Sequence, residues 1–349
     1  MAVQERRNVG ADVIRVLAML MVCVLHVNFL SGCTSCFPNY LYETVCIQAV
    51  NLFAMLTGYL CIEAGWKIRR YINLWFQVAF YAMGGLLLAC GLKRIGMFEA
   101  YPLPCQSVLL PVPFAGGYWY FTAYTAVFLL MPFLNRLIKS LSQREAGTLF
   151  LIVALCFPLM SSLRGYGPMY QMGYNMAWLT ALYVMGAYLR LYPLEWSRKM
   201  TCFTLIGSLS IQTVLFGLGP ESIVSLLMGY AFPLVVLSSV CMFHLCIGLP
   251  IKSPGIVGVV TYLTPLAFGV YLAQCHPFSW YVLRKVFALL YYRIGAVWWY
   301  VPVFALALFA GCLFIDWCRA RLFSLLRVSA WAERLAAACP AWLKDMEKM

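Results

Sequence analysis

Ala11-Asp-Val-Ile-Arg15-Val-Leu-Ala-Met-Leu-Met-Val-Cys-Val-Leu-His26-Val-Asn-Phe-Leu30 is the stretch that decides the fold. It has the length and apolarity of a membrane-spanning helix, yet Arg15 and His26 sit inside its apolar run. Ionisable side chains within a span are costly and need a reason. The eleven residues from Arg15 to His26, at about 100° each, turn a helix roughly 1,100°, about 20° past three full turns. The two therefore share one stripe, about 16 Å apart along the axis. Lipid would reject that stripe, so it must face the interior of a bundle.

The rest of the chain has the same character. Of its 349 residues 64% are hydrophobic and 11% charged, and mean hydropathy is +0.83. No soluble domain has that balance, and several apolar runs near 20 residues long make this an all-α, polytopic transmembrane bundle. The net charge of +13 then flanks spans and calls for no nucleic acid. The first apolar region is too long for a cleaved signal peptide, and no small-x-small site follows Leu30.

Ten spans are expected, at 9–30, 44–63, 71–91, 118–135, 147–163, 174–190, 200–218, 222–248, 256–279 and 296–318. With the N-terminus in the cytosol, 18 Lys and Arg fall in inner segments and 6 in outer ones, the bias expected of cytoplasmic loops. Both termini are then cytosolic. The transmembrane unit covers 1–318, and 319–349 reads as a cationic amphipathic helix on the inner leaflet. The outer loops at 31–43, 92–117 and 280–295 are longer and richer in Pro and Gly than most inner ones.

Most of the 15 cysteines are scattered through spans, where Cys is a small apolar residue. Cys33-x-x-Cys36, on the first outer loop, has redox or metal spacing, but two lone cysteines do not make a zinc site. We expect no metal and assign the pair no role.

Depth sorts the polar residues. Arg15 lies about 9 Å above the inner boundary and His26 about 26 Å. Gln48, Asn51, Asn175, Gln274 and His276 come from other spans to the height of His26. For Gln48, Asn51 and Asn175 singly, an inter-helix hydrogen bond worth about 1 kcal/mol is the simpler reading, with substrate contact as the other. His26 and Arg15, on one stripe, read as functional. Lys67-Ile-Arg69-Arg70 at the inner surface is either ordinary flanking charge or a landing site for phosphates of a cytosolic ligand. Aromatics crowd the outer side, including Tyr118, Trp119, Tyr120, Trp280 and Trp298. They suit an interfacial belt, and flat faces beside polar groups also suit sugar rings. His244 reads as structural.

These residues carry a resemblance. Asn8-Val-Gly-x-Asp12-x-x-Arg15, with His26 eleven residues on, resembles the opening helix of the acyltransferase-3 family of integral membrane acyltransferases, in particular members that O-acetylate bacterial surface polysaccharides. Asn51-Leu-Phe-Ala-Met-Leu-Thr57-Gly58-Tyr59 is similar to the family's Phe-rich Ser/Thr-Gly-Tyr segment. Trp119 to Tyr124, Pro132 to Asn135, Gly186 to Arg190 and Phe268 to Leu272 follow in family order. The resemblance covers nearly the whole chain. Two departures stand out. Lys67 and Arg70 occupy the place of Arg-x-x-Arg, and Gln274 occupies a place where many members have His, with His276 two residues later. We assign His276 no catalysis.

The resemblance implies that acetyl is taken from acetyl-CoA in the cytosol and given to a hydroxyl of a cell-surface glycan or its lipid-linked precursor, across the bacterial cytoplasmic membrane. His26 would be the base. Arg15 would hold a phosphate or polarise a carbonyl. Lys67, Arg69 and Arg70 would join Arg15 at the donor, and Gln48, Asn51, Trp119 and Gln274 would meet the acceptor. The rival reading is a glycan-precursor transporter or flippase. Such proteins show inverted repeats and paired broken spans, and no paired pattern is visible here.

Overall fold

The structure, a computed structural model, describes residues 8–32, 37–102, 117–162, 172–295 and 297–348. Arg6, Arg7, Cys33 and Cys36 lie outside those residues. Among the described residues every regular element is a helix. In chain order they are α1 (Val9–Leu30), α2 (Phe37–Cys46), α3 (Ala49–Ala64), α4 (Ile68–Arg94), α5 (Trp119–Ser140), α6 (Gln143–Ser162), α7 (Met176–Leu191) and α8 (Arg198–Leu218). There follow α9 (Glu221–Leu227), α10 (Pro233–Ile247), α11 (Pro254–Leu263), α12 (Ala267–Cys275), α13 (Pro277–Ile294), α14 (Tyr300–Leu325), α15 (Val328–Ala338) and α16 (Ala341–Asp345).

The first helix is the axis of the molecule. Asn8 caps α1, its side-chain oxygen accepting from the Ala11 N–H at 3.2 Å. The helix then packs against α2, α3 and each of α10 to α14. Ile14, Ala18, Cys23 and Val27 are fully buried in these contacts. Gly10 lets the α10 end come close: a Cβ there would overlap the Cys246 carbonyl. The tightest pair is α3 with α7. A Cβ on Gly58 would overlap the Tyr183 carbonyl, and one on Gly186 the Met55 carbonyl. Two glycines facing each other's backbone bring helices close where no hydrophobic effect drives them together.

Among the described residues eight helical runs are long and apolar enough to cross a membrane. They match eight of the ten expected spans. The other two are apolar but short: α7, and α10 with its broken approach. The expected 222–248 span is interrupted between α9 and α10, and the chain re-enters a helix at Pro233. Proline lacks an N–H and suits the first helical position. The break is stitched from inside, with Tyr230 N–H on Met172 O at 2.9 Å and Tyr230 O accepting from Asn51 Nδ2 at 2.9 Å. Irregular backbone at such depth survives only inside protein. The 256–279 span is also jointed, by a 3-10 turn over Thr264–Leu266 that contains Pro265. Two expected loops are helical. Residues 37–46 form α2, and 280–294 lie within α13, because Pro38 and Pro277 sit in first turns rather than breaking a helix.

The outside of the bundle is greasy. Leu87, Leu155, Phe203, Ile206, Leu218, Leu306 and Phe314 are more than half exposed. A patch of this extent is untenable in water and natural against lipid. At the end of the bundle bearing Lys67 to Arg70, α14 runs past 318 to Leu325, Arg327 turns the chain with φ +52°, and α15 packs on α4.

Replacing Gly186 by Ala should lower stability by about 1–3 kcal/mol, since backbone must move to admit one methyl. Gly207→Ala, on a helix face with open space, should leave it unchanged. Unfolding of both variants in detergent checks the pair.

Candidate active site

His26 and Gln274 meet. The α1 imidazole nitrogen Nδ1 lies 2.9 Å from Gln274 Oε1 on α12. The Gln274 amide nitrogen faces Cys23 Sγ at 3.5 Å, one turn below His26 on α1. Trp280 of α13 places its ring edge-on to the imidazole, with centroids 4.8 Å apart and planes at 88°. Gln274 is buried to 1% exposure, whereas His26 is only half-buried.

The other polar residues expected at this height do not join it. Gln48 is fully buried, donating to Thr44 O at 3.0 Å and accepting from Ser239 Oγ at 2.8 Å. Asn51 is also fully buried; besides Tyr230 O it reaches Ser239 Oγ at 3.0 Å and accepts from the Trp178 indole at 3.1 Å. These are junction residues among α3, α7 and α10, and their hydrogen bonds are committed to protein. Asn175 caps α7 through Trp178 N–H at 2.8 Å. His276 caps α13, accepting from Phe278 N–H at 3.1 Å, with its other ring nitrogen 3.3 Å from Ala82 O. His244 rests 3.2 Å from Trp196 O. Trp119 belongs to an aromatic cluster, stacked on Tyr230 and 4.6 Å from Tyr174 between centroids.

Three turns below His26, Arg15 Nη1 lies 3.7 Å from Asp12 Oδ1. Its side chain keeps 31% of its surface open while Asp12 keeps 7%. Arg15 and Arg70 both lie within electrostatic reach of the Cys61 thiol. Arg69 turns away, pairing with Glu333 of α15 at 2.7 Å, both half-exposed. Lys67 precedes α4 and is exposed.

Between the basic end and His26 runs a line of tyrosines. Tyr120, Tyr124 and Phe128 occupy one stripe of α5 at i, i+4, i+8. Tyr124 lies within electrostatic reach of Arg70, Cys61, Tyr71 and Tyr120. Tyr120 packs on Tyr271 with centroids 6.2 Å apart. Tyr271 neighbours Cys275, and Cys275 and Gln274 both neighbour Cys23. His26, Tyr120 and Tyr124 are deep among other atoms, yet each keeps accessible surface. Among the described residues no three His, Cys, Asp or Glu side chains gather as a metal site.

The family profile of an acyltransferase domain matches residues 8–317. The chain belongs to the acyltransferase-3 family. It is a membrane acyltransferase with several spans. No curated protein and no solved structure matched the chain. Within this acyltransferase the motif residues divide by task. Asn8, Gly10, Asn51, Gly58 and Gly186 build helix ends and crossings. Asn135 ties α5 to α3 and α7, donating to Cys61 O at 3.1 Å and accepting from Tyr183 Oη at 2.7 Å. Arg190 pairs with Glu63 and lies over the Tyr59 ring. Arg15, His26, Tyr120 and Tyr124 keep part of their surface accessible.

Two features escape a reading of the sequence. The Tyr120–Tyr124 stripe was legible as spacing, but it merges with the aromatic belt. A buried pair joins Asp316 to Arg319 through two hydrogen bonds of 2.6 and 2.8 Å, with Tyr81 Oη adding a third at 2.9 Å. Its i, i+3 spacing lies across the boundary expected between span and tail.

Asn51→Ala should cost the acyltransferase about 1–3 kcal/mol by stranding the Trp178 N–H and the Tyr230 carbonyl. Acyl-donor binding by the remaining folded protein should be unchanged. Thermal unfolding in detergent alongside donor titration separates the two effects.

Proposed function

We propose that this acyltransferase moves acetyl from cytosolic acetyl-CoA to a hydroxyl of a bacterial cell-surface glycan or its lipid-linked precursor. The observation that carries the reading is the succession of side chains from Arg15 and the exposed Arg70, through Tyr124 and Tyr120, to His26, each keeping accessible surface. It joins a basic end suited to phosphates to an imidazole near the opposite end, with apolar-faced tyrosines between. A pantetheine arm is long, thin and uncharged, and such a passage suits it.

On this reading Lys67 and Arg70 receive the donor's phosphates, as charge-assisted contacts. Arg69 joins by exchanging Glu333, at little cost because half-exposed ion pairs are worth about 0–1 kcal/mol. Arg15 holds the donor lower in the passage. His26 removes the acceptor hydroxyl's proton as the oxygen attacks the thioester carbonyl. The carbon–sulfur bond breaks, His26 returns the proton to the departing thiolate, and the products are an ester and free CoA. A thioester is already activated, so no covalent enzyme intermediate is needed. Trp119, with Tyr174 and Tyr230, offers flat faces for the acceptor sugar. Gln48 and Asn51 take no part, their groups being committed to Ser239, Trp178 and Tyr230.

The test is transfer of labelled acetyl from acetyl-CoA to candidate glycans by purified protein. His26→Ala should lose 10²–10⁴-fold, roughly the worth of a general base, with normal insertion. Retention of more than about a tenth of the rate would remove His26 from the chemistry.

Arg15→Lys should bind acetyl-CoA nearly as poorly as Arg15→Ala while remaining folded, because an ammonium cannot reproduce the planar fork. If Arg15 merely pairs with Asp12, Lys would suffice and Asp12→Asn would unfold the protein as readily as Arg15→Ala. Cysteine labelling from each side should place residues 67–70 and the C-terminus in the cytosol, as the positive bias requires.

A further inference from the structure

We propose that Gln274 is the positioning residue of this reaction: its side-chain oxygen holds His26 with the hydrogen on Nδ1, leaving Nε2 as the nitrogen that meets the acceptor hydroxyl. The inference rests on the reading of His26 as base. It concerns a residue that the sequence places among acceptor contacts.

The argument runs from the amide outward. An amide oxygen only accepts, so a 2.9 Å contact with Nδ1 requires the hydrogen to be on Nδ1. On its other side the amide NH₂ faces Cys23 Sγ at 3.5 Å, a weak acceptor. The reversed amide would donate to a bare Nδ1 and accept from the thiol, an arrangement that the acceptor-only carboxylate of Gln274→Glu cannot reproduce. Gln274 is itself fixed: it lies at 1% exposure, one residue before the end of α12. Trp280 closes the remaining freedom of the ring by packing its plane at 88° to it. The imidazole is thus gripped at Nδ1 and along one face. Its tautomer is set in the way a carboxylate sets it in a hydrolase triad, but by a neutral group.

The choice of an amide has a consequence a carboxylate would not share. A carboxylate at Nδ1 would favour imidazolium and remove the free base at low pH. The amide orients without that electrostatic pull. The titratable groups nearest this site are Cys23 on α1, Cys275 on α12, Cys312 on α14, and Tyr118 and Tyr271. Ordinary thiols and phenols titrate above neutrality. Glu43 of α2 accepts from Asn28 at 3.0 Å, and Asp12 with Arg15 lies three turns away. All of these are common to wild type and the two Gln274 variants, so they cancel in that comparison.

The experiment is a pH–rate profile of acetyl transfer by wild type, Gln274→Leu, Gln274→Glu and Cys23→Ala. Gln274→Leu should lower kcat about 10- to 100-fold, less than His26→Ala, with KM for acetyl-CoA within about twofold. Gln274→Glu should keep much of the rate at high pH, and its acidic limb should move upward by about one unit or more. Cys23→Ala, which frees the amide but keeps Gln274, should cost a few-fold and leave the limb in place. An unmoved limb in Gln274→Glu, or a wild-type rate in Gln274→Leu, overturns the proposal. If either of these variants fails to fold, a wild-type rate in Cys23→Ala counts against it and a few-fold loss supports it. Should His26→Ala itself stay active, the base reading falls; should it be dead while Gln274→Leu is normal, only this inference falls.

Discussion

A guanidinium and an imidazole on one helix cannot both face hydrocarbon, and the rest of the structure follows from hiding them. The stripe through Arg15 and His26 forces α1 into the middle, where α2, α3 and α10 to α14 surround it. Helices with no such burden, α6 and α8, are pushed outward and show broad apolar faces to lipid. The hidden stripe needs room as well as cover. That room is the accessible interior beside His26, Tyr120 and Tyr124.

Making room at the centre has a cost in backbone regularity. Near the interior the chain breaks between α9 and α10, and again over Thr264–Leu266. Each break frees backbone groups that water would satisfy in a soluble protein. Here Asn51 answers for Tyr230 at the first break. Much of the polarity inside the bundle is therefore devoted to mending helices, and only a small part faces the working space.

That division explains what could be read from the chain. Hydropathy over about 20 residues identified the spans, because lipid imposes one length on all of them. It missed the joints at Phe232 and Pro265; at the first, tertiary hydrogen bonds of Tyr230 with Asn51 and Met172 permit what local pattern forbids. It also took residues 37–43 and 280–294 for loops, since a proline in a first turn looks like a breaker. Helix rise set Gln48, Asn51 and Gln274 near the height of His26, and Gln274 does meet it, but height says nothing about azimuth. Gln274 turns to His26, whereas Gln48 and Asn51 turn to Ser239. The pairing of Arg69 with Glu333 crosses more than 260 residues and leaves no local signal.

Asp316 and Arg319 bear on where this protein can be said to end. The family match stops at 317, between the acid and the base of a fully buried pair. Beyond it, Glu347 accepts from the Ile68 N–H at 3.0 Å, and Ala336, Leu343 and Met346 pack on the core. A chain cut at the edge of the recognised domain would leave Asp316 charged and unpaired among apolar neighbours, a deficit of about 3–5 kcal/mol in comparable cases. The unit that defines the family and the unit that folds are therefore different lengths of chain. The second includes a segment whose sequence need obey only this protein's own surface.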